Sequence, residues 1–140
     1  MVDKSLILRK LAQLETYVKQ IGEFSQITAG EFRGDWKTQR IVERTLQVMI
    51  ETCADVANHI VSDKGLRAPV SYADTFEVLR EGNVIGVELA STMEKMAKFR
   101  NVVVHQYETV DAEIVVAILR KHLEDFVKFR DAVLTCLKET

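Results

Sequence analysis

Apolar side chains recur at steps of three and four over most of the chain. Leu6, Ile7, Leu11, Leu14, Val18, Ile21 and Phe24 mark an amphipathic helix from Asp3 to about Ile27. Thr28-Ala29-Gly30 interrupts the pattern, with Gly30 as the expected C-cap and residues 30–35 as a loop. Asp35 is a suitable N-cap for a second long helix from Trp36 to about Ser62, whose stripe includes Ile41, Leu46, Met49, Cys53, Val56, Ala57 and Ile60. At 1.5 Å per residue, each of these helices is about 40 Å long. Residues 66–70 form a connector around Pro69. Ser71, three residues before Asp74, caps a short helix through Arg80 that ends at Gly82-Asn83. A fourth helix is expected from Gly86 or Val87 through Lys98 towards His105. Asp111 caps a last one through Leu137, with Ile114, Val115, Ile118, Leu119, Leu123, Phe126 and Phe129 at helical steps. No segment alternates at period two for long, and Val102-Val103-Val104 is too short to seed a sheet. The pattern predicts an all-α fold: an antiparallel bundle of four main helices plus one short helix, one domain over residues 1–140.

Composition agrees with this picture and narrows the chemistry. Hydrophobic residues are 47% and charged residues 29%, which excludes wholesale disorder. Six Gly and the single Pro69 supply too few turn residues for an all-β fold. Nineteen Lys plus Arg against 21 Asp plus Glu gives a net charge of −2, so phosphate binding requires a local cluster rather than a global field. No stretch approaches the roughly 18 consecutive apolar residues of a membrane helix. Ser5-Leu6-Ile7-Leu8 is too short for the apolar region of a signal peptide. A cytoplasmic protein without membrane contact is expected. Cys53 and Cys136 lack a Cys-x-x-Cys spacing and read as buried thiols in a reducing compartment.

Few residues offer chemistry. His59 and His122 do not form a convincing metal-ligand constellation, and His122 with Asp125 is a spacing that recurs by chance in helices. No metal site is expected. Gly82 and Gly86 lack the Gly-Lys-Ser/Thr ending of a phosphate loop, and no Gly-x-Ser-x-Gly elbow occurs. The informative stretch is Phe99-Arg100-Asn101-Val102-Val103-Val104-His105-Gln106-Tyr107. In one reading, Arg100 and His105 merely decorate a helix end, where cations are favoured. In the other, they are a cation and an acid–base group for phosphodiester chemistry. Histidine titrates near neutral pH and suits acid–base work, while arginine holds phosphate oxygens in a planar fork. Asn101 could orient the histidine or the phosphate.

Arg100-Asn101, three residues, His105, one residue, Tyr107 resembles the Arg-Asn-x-x-x-His-x-Tyr signature of the HepT toxins, helical ribonucleases of the HEPN superfamily. The segment Cys53-Ala54-Asp55-Val56-Ala57-Asn58-His59-Ile60, the Pro69 connector with Tyr72 and Phe76, and His122-Leu123-Glu124-Asp125-Phe126 are also similar to that family. The likeness runs from Leu6 to about Phe129. It implies a metal-independent RNA endonuclease that needs no cofactor. It also implies a partner, an MntA-type nucleotidyltransferase antitoxin that transfers AMP from ATP onto the signature tyrosine, here Tyr107. A non-catalytic HEPN protein that presents a substrate or nucleotide to a nucleotidyltransferase is the alternative; it would not need the Arg100/His105 pair. Tyr107 could also simply pack its ring and leave its hydroxyl at the surface.

Spacing adds a constraint. Around a regular helix Arg100 and His105 stand about 140° apart, whereas Asn101 and His105 share a face. Either the helix breaks between Arg100 and His105, or another subunit completes the site. The resemblance implies the second, a homodimer with both motifs lining one cleft. Two copies of Lys95, Lys98, Arg100 and His105 would then give a slightly acidic protein a local positive groove for RNA.

Overall fold

The longest element, α3 (Trp36–Asp63), packs against four other helices in a computed structural model that describes residues 3–139. Met1, Val2 and Thr140, which the expected domain includes, lie outside the described residues. The remaining helices are α1 (Lys4–Ile21), α2 (Ala29–Arg33), α4 (Tyr72–Glu81), α5 (Val87–His105), α6 (Ala112–Lys121) and α7 (Leu123–Lys138). Two 3-10 turns, Gly22–Phe24 and Tyr107–Thr109, supplement them, and no strand occurs among the described residues. The fold is the expected all-α antiparallel bundle, with α1, α3, α5 and the α6–α7 pair as main helices and α4 as the short one.

Local chemistry accounts for most boundaries. The Asp35 carboxylate accepts from the Lys37 and Thr38 amides at 3.1 and 3.2 Å and from the Thr38 hydroxyl at 2.8 Å, starting α3. Gly65, at φ +64°, turns the chain out of α3, a left-handed conformation that glycine adopts without cost. Ser71 Oγ accepts from the Asp74 amide at 3.0 Å and Asp111 Oδ1 from the Glu113 amide at 2.8 Å, so α4 and α6 begin where the sequence predicts.

Three expectations are corrected. The first helix does not reach Ile27: it ends at Ile21, and Gly22–Phe24 tighten into a 3-10 turn. Gly30 is not a C-cap. Thr28 and Glu31 form a reciprocal capping box, with bonds of 3.0 and 3.1 Å, so residues 29–33 wind into α2 instead of staying a loop. The last helix is not continuous either. His122 leaves helical geometry at φ −122°, ψ 3°, and its Nδ1 stands 2.9 Å from Asp125 Oδ2 across the first turn of α7. The spacing dismissed as chance spans this break.

The core lies where α3 meets α1, α4 and α5, with α7 closing over α1 and α5. Phe76, Phe126, Phe129, Leu46, Met49 and Met93 are fully buried, and Phe76 meets Phe129 edge-to-face at 5.8 Å. Cys53 and Cys136 are buried, as expected, and form no disulfide; burial pushes the Cys53 thiol well above its ordinary range. The connector after α3 is tied to α4 by Arg67, whose guanidinium bonds both Asp74 oxygens at 2.8 Å and both Glu81 oxygens at 2.9 Å. These bonds tie the connector to both ends of α4, and Tyr72 at its start lies against Arg100 of α5. No helix of the described residues is long and apolar enough to cross a membrane.

Candidate functional site

Helix α5 carries the motif and runs without interruption from Val87 to His105. The Gln106 amide still reaches the Val102 carbonyl at 2.7 Å, and only then does the chain turn into the 3-10 turn Tyr107–Thr109. The first of the two geometric alternatives is therefore removed: the helix does not break between Arg100 and His105. Their side chains leave α5 about 140° apart.

Arg100 points inward, with only 14% of its side chain exposed. Its Nε donates to Glu51 Oε2 at 2.8 Å, and Nη2 lies 2.7 Å from the same oxygen. Nη1 donates to Asn101 Oδ1 at 3.1 Å. The guanidinium stacks over the Tyr72 ring at 4.3 Å from its centroid. Gln47 donates to Glu51 Oε2 at 3.2 Å, so the carboxylate that holds the arginine is itself held. Three helices thus fix one cation: α3 through Glu51, α4 through Tyr72 and α5 through Asn101. Such a guanidinium is oriented in advance, and part of its charge is balanced before any ligand arrives.

His105 is exposed at the C-terminal end of α5 and makes no hydrogen bond among the described residues. Lys98 lies seven residues before it, within about 20° on the same face. Lys95 and Lys98 are exposed, form no ion pair among the described residues, and line a groove with Phe99, Val102, Gln106, Asp111 and Ile114. Tyr107 is 66% exposed and opens onto a different cleft, bordered by Arg33, Gln39, Arg40, Glu43 and Glu108. Burial raises the Glu43 carboxyl there, opposed by the charge of Arg40.

The fold thus turns the Asn101 carbonyl to Arg100, and no side-chain hydrogen bond joins either residue to His105 among the described residues. Sequence reasoning missed Glu51, Gln47, Arg40 and Glu43, and named Tyr72 only as part of a family likeness. Glu51 is 49 residues from its partner, and no local signal marks it. Among the described residues no group of three or more His, Cys, Asp and Glu side chains could hold a metal ion.

The family model described as "Ribonuclease HepT-like" matches residues 14–133. The mRNA nuclease HepT of Shewanella oneidensis is 34% identical over 128 residues, spanning 91% of this chain and 96% of that protein. The tRNA nuclease HepT of Aphanizomenon flos-aquae is 26% identical over 112 residues, spanning 79% and 75%. The solved structure of the tri-AMPylated Shewanella oneidensis HEPN toxin in complex with MNT antitoxin superposes with a TM-score of 0.86 at 34% identity, over 96% of this chain and 99% of that one.

Proposed function

The chain belongs to the ribonuclease HepT-like family, and we propose that it is an RNA endonuclease, the toxin of a toxin–antitoxin pair, neutralised by AMPylation of Tyr107. One observation carries this reading: the complete Arg100-Asn101…His105…Tyr107 signature ends the central motif helix of a chain that matches a HEPN toxin over nearly its whole length. The chain acts as one HEPN-like domain in the cytoplasm.

The chain supplies the base and the cation that the chemistry requires, and water serves as the general acid. His105 takes the proton of a ribose 2′-OH, and that oxygen attacks the adjacent phosphorus. The P–O5′ bond breaks, and the 5′-oxygen leaves with a proton from a general acid. The products are a 2′,3′-cyclic phosphate and a 5′-hydroxyl. Arg100, fixed by Glu51 and Tyr72, offers its guanidinium to the charge growing on the phosphate oxygens. Asn101 holds that guanidinium from the other side. The continuity of α5 supports a homodimer in which Arg100 of one chain faces His105 of the other across a twofold cleft. Lys95 and Lys98 from both chains add charge along it.

The partner is an MntA-type nucleotidyltransferase antitoxin. The exposed Tyr107 hydroxyl attacks the α-phosphorus of ATP, loses its proton, and displaces pyrophosphate. The attached AMP brings about one negative charge to the end of the motif, where it repels RNA without unfolding the chain. The test is cleavage of RNA in EDTA. Wild type should leave a 2′,3′-cyclic phosphate end, and His105→Ala and Arg100→Ala should both lose activity. Cleavage that survives both substitutions overturns the assignment. RNA bound but never cut by wild type would support a non-catalytic binding role.

A further inference from the structure

A line of cations on α3 borders the motif on the side away from the Lys95/Lys98 groove. Arg40, Arg44, Gln47 and Glu51 fall within about 60° of one another around that helix. One end of the line meets the motif where Glu51 holds Arg100, and the other where Arg40 shares a cleft with Tyr107. α3 therefore runs antiparallel to α5 and flanks the motif along its length. Lys37, Arg40 and Arg44 are exposed, and none makes an ion pair among the described residues. Arg33, Arg67, Arg80 and Arg130 are ion-paired, whereas Arg9 makes no ion pair among the described residues and Arg120 meets only the Gln26 and Ile27 carbonyls. A chain of net charge −2 thus has three exposed cations beside its motif without a close ion pair among the described residues, although Asp35 feels the charge of Lys37 and Glu43 that of Arg40.

Trp36 stands at the head of this line. The chain has one tryptophan, and it is 61% exposed, although burying an aromatic ring is among the larger gains available to a core. Lys37 and Arg40 lie over its ring at 5.8 and 5.4 Å from the centroid. Cations on an exposed indole suit a ligand that is both aromatic and anionic. Single-stranded RNA is such a ligand: a base stacks on the ring while phosphates take the cations. A single strand repeats a base and a phosphate at every nucleotide, a closer match to a ring beside several cations than the scattered side chains of an acidic, aromatic peptide.

We propose that Trp36, Lys37, Arg40 and Arg44 form a platform for single-stranded RNA that leads the strand to the Arg100/His105 site. The proposal rests on the ribonuclease reading and extends it. It also gives the Tyr107 modification a second consequence. An AMP phosphate on Tyr107 would compete with RNA for Arg40, which borders the same cleft.

The experiment measures binding of a fluorescein-labelled, unstructured 12-nucleotide RNA by anisotropy, in the His105→Ala background so that the probe is not cut. Trp36→Ala should weaken binding about five- to a hundredfold, the range for loss of one base–aromatic stack, and Trp36→Phe should retain most of it. Arg40→Gln with Arg44→Gln should weaken binding and lower the salt slope by about 1.4. With His105 intact, Trp36→Ala should raise KM and spare kcat. Affinity unchanged in Trp36→Ala overturns the platform. So does a Trp36→Ala protein that binds RNA normally but no longer holds the nucleotidyltransferase, since the face would then be a protein interface. If the His105→Ala parent binds no RNA at all, the ribonuclease reading fails first, and the platform with it.

Discussion

The two ends of the motif differ in almost every physical respect. Arg100 is nearly buried, ion-paired, stacked on an aromatic ring and hydrogen-bonded by its neighbour, whereas His105 and Tyr107 are exposed and unbonded among the described residues. Five residues separate them on one continuous helix. The fixed end is built like a site prepared for charge, in which orientation is set during folding rather than at the moment of reaction. The free end is built to meet something from outside, either a nucleotide or another copy of the chain. Neighbours in the sequence are therefore not partners in space, and the proposed chemistry needs both.

Replacing the two ends separately should give the largest effects. His105→Ala and Arg100→Ala are each expected to lower RNA cleavage by about 10²–10⁴, the usual contribution of an acid–base group or a phosphate donor. Arg100→Lys should rescue little, since an ammonium cannot reproduce the bonds to Glu51 and Asn101 together with the stack on Tyr72. A fully active Arg100→Lys would mean that the elaborate seating of the arginine has no catalytic purpose.

Glu51→Gln sharpens the comparison from the fixed end. If Glu51 orients Arg100, kcat should fall about ten- to a hundredfold with KM little changed, because the guanidinium loses its anchor. If Glu51 only damps the charge of Arg100, the same substitution should raise activity. Steady-state kinetics on a folded variant separate the two.

How much of this was legible in the sequence follows the range of each signal. Caps at Asp35, Ser71 and Asp111 are local, and the structure has them where the residues put them. The box at Thr28 and Glu31 was equally local, but α2 is only five residues long and shows no apolar period to announce it. The break at His122 is silent because Ile118, Leu119, Leu123, Phe126 and Phe129 keep their helical steps across it. The motif itself could be read from its letters. Its inward and outward halves could not, because they are decided by Glu51 on α3 and Tyr72 on α4, which only packing brings to Arg100.

At the free end, Tyr107→Phe should change cleavage by less than about twofold and stability by no more than about 0.5 kcal/mol, since the hydroxyl is exposed and unbonded. Its effect should lie in regulation. Mass spectrometry after co-expression with the nucleotidyltransferase should show AMP units on wild type and none on Tyr107→Phe, which should stay toxic. Equal modification of both would move the switch elsewhere.

In the proposed dimer, Arg100 and His105 work together only across two copies of the chain. Mixing Arg100→Ala with His105→Ala protein, after partial unfolding to exchange subunits, tests it directly. In a twofold dimer each mixed pair regains one site with both residues, so a random mixture of two inactive proteins should recover about a quarter of wild-type cleavage. A mixture no more active than either variant alone, beside a wild type that sediments as an active monomer, would show that one chain completes the site by itself.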